Sequence, residues 1–293
     1  MKNKKAWIFV FVILIMTLFI DDSELNYPGG SSIALLEIKG AIMQESSGIN
    51  VGSRSVANAI LDAAKDGNVK ALFLDINSPG GTVGGSQEMY WALRKFREST
   101  YDDPPKNKII HAYIGELGAS GGYYAASASN HISALPSSLV GSIGVIFSNF
   151  NFFKLMEKIG IQDQTFTAGE YKDLGSSFKA MTDEEKAVIQ EMIDESYEVF
   201  VEDVAWGRKN LGVEGVRNLA NGWIYSGNKA LENGLIDSVV YSYRDAVNNL
   251  CREIGENDGC EVSPITPQSD PFGDIFSLLG RFTFLNKEFF AIY

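Results

Sequence analysis

Two nearly continuous apolar runs, Ala71–Ile76 and Lys108–Ile114, each lead into a glycine-rich turn and then into a helical pattern. Short apolar runs closed by turns suit strands buried on both faces of a sheet. The turns are Asn77-Ser78-Pro79-Gly80-Gly81 and Gly118-Ala119-Ser120-Gly121-Gly122. Strands alternating with helices predict an α/β domain with a largely parallel sheet flanked by helices. The remaining pattern agrees. A strand is expected over Ile33–Ile42 and helices over Val56–Ala64 and Gly85–Phe96. Ser120–Ser129 reads as a small-residue helix, His131–Phe147 as short strands and turns, Asn151–Ile159 as a helix and Gln164–Thr167 as a strand. Thr182, with Glu185 three residues on, caps a long helix over Thr182–Asn210. Short helices follow to about Ile254.

A Gly-Gly pair just past a strand lets the backbone turn sharply and leaves N–H groups exposed. At a helix start such groups can stabilise an oxyanion. Ser120, at a helix N-terminus among small residues, stands where a nucleophile would be presented. The same pattern also fits two ordinary turns with Ser120 as a helix cap. A base is then needed, and the chain has two histidines. His111 lies upstream along the incoming strand, of order 30 Å from the serine at about 3.3 Å per residue. His131 lies past the next helix, roughly 16 Å away at about 1.5 Å per residue. Neither is well placed for a Ser-His-Asp triad. Lysine is the other base for serine, and it must be neutral, which burial favours. Lys172, in Ala168-Gly169-Glu170-Tyr171-Lys172-Asp173, follows an expected strand, but pattern alone does not separate it from Lys179.

A net charge of −12, from 25 basic and 37 acidic residues, argues against a nucleic-acid partner. The acidic residues between Asp183 and Asp203 read as a solvated helix face. No Cys/His spacing suits a metal, and no cofactor is implied. Cys251 and Cys260 fit either a disulfide or two free thiols. At the N-terminus, lysines 2, 4 and 5 precede an apolar run over residues 6–20, and two aspartates end it. Fifteen helical residues at about 1.5 Å each span roughly 22 Å, short of a hydrocarbon core of about 30 Å. No small-x-small cleavage site follows, which favours an uncleaved signal-anchor whose mismatch snorkelling lysines absorb. The positive-inside rule then gives a cytoplasmic tip (1–5), a single membrane pass (6–20) in the cell membrane and an exported remainder. A linker (21–32), a main domain (33–254) and a tail (255–293), rich in Phe and Leu from Phe272, complete the expected layout.

Several segments together resemble the S49 peptidases of the signal peptide peptidase A (protease IV) type. Asp75-Ile76-Asn77-Ser78-Pro79-Gly80-Gly81 is similar to that family's oxyanion turn, and Gly118-Ala119-Ser120-Gly121-Gly122-Tyr123-Tyr124 to its nucleophile segment. Gly141-Ser142-Ile143-Gly144-Val145 resembles the strand lining the site, and Gly169-Glu170-Tyr171-Lys172-Asp173 the lysine segment. Trp223, Ala230 and Gly234-Leu235-Ile236-Asp237 resemble its C-terminal signature. The resemblance covers about Ile33 to Ala246. It implies the Clp/crotonase-like superfold, with Ser120 as nucleophile, Lys172 as base, Gly81 and Gly121 as oxyanion hole and Ser142 as orienter of the lysine. It further implies a ring-like homo-oligomer in which the lysine reaches a neighbouring subunit's serine, with the long helix as an interface element. The implied substrates are released signal peptides or other hydrophobic membrane-associated peptides. The alternatives are a peptidase dedicated to one hydrophobic partner, and a crotonase-like acyl-CoA enzyme or inactive scaffold. The segment 99–106 reads as an inserted surface loop.

Overall fold

The computed structural model describes residues 32–46, 50–98, 108–256, 260 and 262–265. β1 (Ile33–Lys39), β2 (Ile42–Met43) and β3 (Val51–Gly52) precede α1 (Ser53–Lys65). β4 (Ala71–Ser78) leads into α2 (Val83–Glu98), and β5 (Ile109–Ala119) into α3 (Gly121–Ser127). β6 (His131–Ala134) and β7 (Leu139–Gly141) are followed by α4 (Phe153–Ile159), α5 (Asp183–Gly207) and α6 (Gly212–Leu219). β8 (Ile224–Ser226), α7 (Gly227–Glu232), β9 (Ser238–Val239), α8 (Tyr243–Glu253) and β10 (Val262–Pro264) complete the described chain. The main sheet has the order β10-β1-β4-β5-β6-β9, every neighbouring pair parallel. β7 joins the carboxyl end of β5 in parallel and carries β8 antiparallel beside it.

Strand periodicity divides the core. Leu72, Leu74 and Ile76 of β4, with Leu36, Ile38, Ile110, Ala112 and Ile114, pack under α1, α2, α3 and the second half of α5. Phe73, with Ile33, Ala71 and Tyr113, points the other way and packs under Ala246, Val247 and Leu250 of α8. Side chains that alternate between two covered faces explain why these strands read as apolar runs rather than as an alternating pattern. The fold is therefore α/β with a largely parallel sheet between helical layers.

α5 begins as its sequence predicts. The Thr182 hydroxyl accepts from the Glu185 N–H (3.2 Å), and the Glu185 carboxylate accepts from the Thr182 N–H (2.9 Å). Thr182→Ala is expected to cost about 1 kcal/mol, measured as a lower midpoint of denaturant unfolding.

Several expectations are corrected. The strand over Ile33–Ile42 breaks at Gly40, whose φ of 82° turns the chain, so Ile42 opens a separate short strand. Gln164–Thr167 is no strand: its residues are exposed and pair with no other strand among the described residues, and a strand needs a neighbour to bond its backbone. The sheet continues past residue 254, because β10 adds an edge strand beside β1. Cys251, at the end of α8, forms a disulfide with Cys260, just before β10. The expected anchor, the linker up to residue 31, the inserted loop and the Phe-rich part of the tail lie outside the described residues. No helix among the described residues is long and apolar enough to cross a membrane.

Candidate active site

The turns after β4 and β5 meet at the carboxyl edge of the sheet, where Ser78 stands opposite Gly118 in the ladder. Open α/β sheets bind ligands outside the carboxyl ends of their strands, because loops there leave a crevice. Ile42 supplies a third chain. It forms a parallel bridge with Gly81, donating its N–H to the Gly80 carbonyl (2.8 Å) and accepting from the Thr82 N–H (2.9 Å). This bridge turns the Gly81 N–H to the side away from Ile42. A Cβ on Gly81 would stand 1.8 Å from the Ile42 carbonyl oxygen, so only glycine fits.

Ser120 occupies the junction between β5 and α3 with φ 51° and ψ −123°. Positive φ is costly for a residue with a Cβ, and such strain clusters at functional sites. Two bonds hold the turn: the Ser120 N–H donates to the Gly141 carbonyl (2.8 Å), and the Tyr124 N–H donates to the Ser120 carbonyl (2.8 Å). Gly121 opens α3, so its N–H has no intrahelical acceptor. Ser142 has φ 52° and donates its N–H to the Trp223 carbonyl (2.8 Å). Among the described residues, Ser120 and Ser142 are the only non-glycine residues with positive φ. Both line one cleft of about 690 Å³, with Gly81 and Gly121.

Ile193, Tyr197 and Phe200 of α5, with Tyr124 of α3, give the cleft an apolar wall, and Gln190 and Asp194 add a polar strip. Tyr124 is wedged between Tyr90 (ring centroids 4.7 Å) and Phe200 (4.5 Å). Its hydroxyl donates to the Asp203 carboxylate, whose backbone carbonyl accepts from the Tyr90 hydroxyl (2.9 Å). Burial pushes both phenols well above the ordinary tyrosine range, and the Asp203 carboxylate adds to the rise. Burial also raises Asp203 itself, against the pull of the Tyr124 hydrogen bond. The cluster fixes the wall. Sequence reading missed it, because the tyrosines look like core residues and Asp203 like one more charge on an acidic helix.

Four of the five singled-out residues thus share the cleft. Lys172 is not among its lining residues; it is exposed, in a turn between α4 and α5. Lys179 is tied to Asp173 (2.7 Å) and Glu185 (2.6 Å), and these hydrogen bonds, that to Asp173 first, raise its pKa and keep it charged. Neither lysine lines the cleft. The histidines lie elsewhere in the sheet: the buried His111 ring stacks on His131 at 4.7 Å, and its Nε2 meets the Ser133 hydroxyl at 2.9 Å. Neither ring lines the cleft.

The pattern of peptidase family S49 matches residues 103–255. The chain belongs to peptidase family S49. A protein of Enterococcus faecium, provisionally named signal peptide peptidase SppA, is 40% identical over 74% of this chain and 60% of its own length. A protein of Synechocystis, provisionally named a protease, is 40% identical over 70% of this chain and 68% of its own. Protease 4 of Salmonella typhi is 34% identical over 74% of this chain, but over only 34% of its own length. The match thus spans between a third and about two thirds of these S49 relatives. In the solved structures, a membrane-bound stomatin-specific protease aligns over 80% of this chain and 98% of its own, with a TM-score of 0.49 and 14% identity.

Proposed function

We propose that this S49 member is a membrane-anchored serine endopeptidase that cleaves released signal peptides or similar hydrophobic peptides outside the cytoplasm. The single observation that carries the reading is the strained Ser120, presented at a helix start in a cleft beside Gly81 and Gly121. In the proposed reaction Ser120 Oγ attacks the substrate carbonyl while a neutral Lys172 takes its proton. The N–H groups of Gly81 and Gly121 receive the developing oxyanion, and Ser142 orients the lysine. The ammonium of Lys172 then protonates the leaving amine, and water releases the acyl group from Ser120. The apolar wall of Ile193, Tyr197 and Phe200 suits aliphatic or aromatic substrate side chains. The name of the Enterococcus relative favours signal peptides, and that of the Salmonella relative a protease over acyl-CoA chemistry.

In this reading the lysine comes from a second copy. Among the described residues the segment carrying it has little cover: Ile146 is 88% exposed, Phe150 76% and Phe166 95%, and α4 has no buried residue. So many apolar side chains in water mark an interaction surface. In the proposed ring, this arm packs on a neighbouring chain and delivers Lys172 to that chain's Ser120. Packing would also desolvate the amine, and desolvation disfavours the charged form.

The test is cleavage of a denatured hydrophobic polypeptide by the full chain in detergent. Wild type is expected to cleave it and Ser120→Ala to leave it intact. Equal cleavage by the two proteins overturns the reading.

A further inference from the structure

Ser86 sits in the first turn of α2 and is 3% exposed. A serine inside a helix commonly returns its hydroxyl to a carbonyl one turn back. Here the Thr82 carbonyl is engaged by the Ser86 N–H (3.0 Å), while Ser86 Oγ is buried without a hydrogen-bond partner among the described residues. An unpaired buried hydroxyl destabilises the fold that contains it. Natural sequences tend to break such rules where function requires it.

Its surroundings indicate what that function is. A Cβ on Gly121 would fall 2.1 Å from Ser86 Oγ and 3.3 Å from Gly80 Cα. A Cβ on Gly80 would fall 2.7 Å from the Gly121 nitrogen and 2.9 Å from Ser120 Oγ. The orphan hydroxyl, both glycine turns and the strained serine are therefore one contiguous cluster, and Ser86 lines the cleft. We propose that the Ser86 hydroxyl is a third donor to the oxygen of the reacting carbonyl, beside the N–H groups of Gly81 and Gly121. The proton stays on Oγ; the hydroxyl is paired only while an acyl oxygen occupies the pocket. This inference rests on the serine-peptidase reading above.

The experiment compares full-length wild type, Ser86→Ala, Ser86→Cys and Ser120→Ala in detergent. Three quantities are read: kcat and KM on a fluorogenic hydrophobic peptide, affinity for a peptide boronate that forms a tetrahedral adduct, and Tm. Ser86→Ala is expected to lower kcat about 10–100-fold with KM within about twofold, and to weaken boronate binding in parallel. Its Tm is expected to hold or to rise by about 2–4 °C, because a buried unpaired hydroxyl has gone. Ser86→Cys, a weaker donor of similar size, should fall between. Unchanged kcat in Ser86→Ala, or a loss accompanied by a clear drop in Tm, overturns the inference, because the serine is then idle or merely structural. Activity persisting in Ser120→Ala, or a wild type that neither cleaves nor binds the boronate, instead brings down the serine-peptidase reading itself.

Discussion

Ser120→Ala and Lys172→Ala should each lower turnover by about 10⁴-fold or more, and an equal mixture of the two, assembled together, should recover about a quarter of the wild-type rate. The first expectation follows from a nucleophile and base acting as a unit, so that losing either removes the covalent route. The second follows from the exposed position of Lys172 on an arm with little cover among the described residues. In the proposed ring each site joins one chain's serine to its neighbour's lysine. Random assembly places a Lys172→Ala chain, which keeps its serine, beside a Ser120→Ala chain, which keeps its lysine, at about one site in four. Coexpression of the two variants followed by joint purification gives the mixed assembly, and cleavage of the fluorogenic peptide gives the rate. A mixture as inactive as its components means that serine and lysine act within one chain, and the arm must then fold back on its own cleft. Retained activity in Lys172→Ala alone removes the lysine from the chemistry.

Much of this site was legible because strand ends are written in short local signals. The apolar runs before Gly80 and Gly118 fixed two buried strands, and the glycines placed the turns. The adjacency of those turns then follows from parallel pairing of β4 and β5. Other parts depended on contacts between distant segments. Ile42 reaches the site only because Gly40 ends β1 and lets the chain bridge to Gly81. The pairing of Tyr124 with Asp203 joins α3 to α5, and no local period announces it. The arm was misread at Gln164–Thr167 for a related reason. Strand propensity expresses fit to a half-buried pleated surface, and among the described residues that surface is missing. Ser86 did carry a faint signal, a serine just past the Gly-Gly turn at the start of a helix. Only the structure shows its hydroxyl, unpaired among the described residues, against Gly121.

His111 should make the fold labile in mild acid. Burial, and then the charge of His131, push its pKa from 6.5 down to about 3. The folded chain therefore keeps the imidazole neutral, whereas the unfolded chain takes up a proton as pH falls below about 6.5. Stability from this group is fully present above that pH and is lost as pH falls toward 3, at about 1.4 kcal/mol per pH unit. By pH 5 the loss is about 2 kcal/mol, or roughly 4–8 °C in Tm for a domain of this size. The groups facing it can offset part of this. His131 stacks on its ring, and Glu253, near His131, has a carboxyl raised by burial. Asp203, farther off beneath Tyr124, is raised for the same reason. A raised carboxyl takes its proton first in the folded state and so favours the fold as pH drops. The contribution of His111 is therefore read from a difference. His111→Phe keeps an aromatic ring against Phe73 and His131 and cannot take up a proton. It loses the Ser133 hydrogen bond, so it is expected to be less stable than wild type at pH 7.5. Between pH 7.5 and 5, however, its Tm should fall less than that of wild type. Tm measured across that range for both proteins decides the point, because parallel curves would mean that His111 is protonated as readily folded as unfolded.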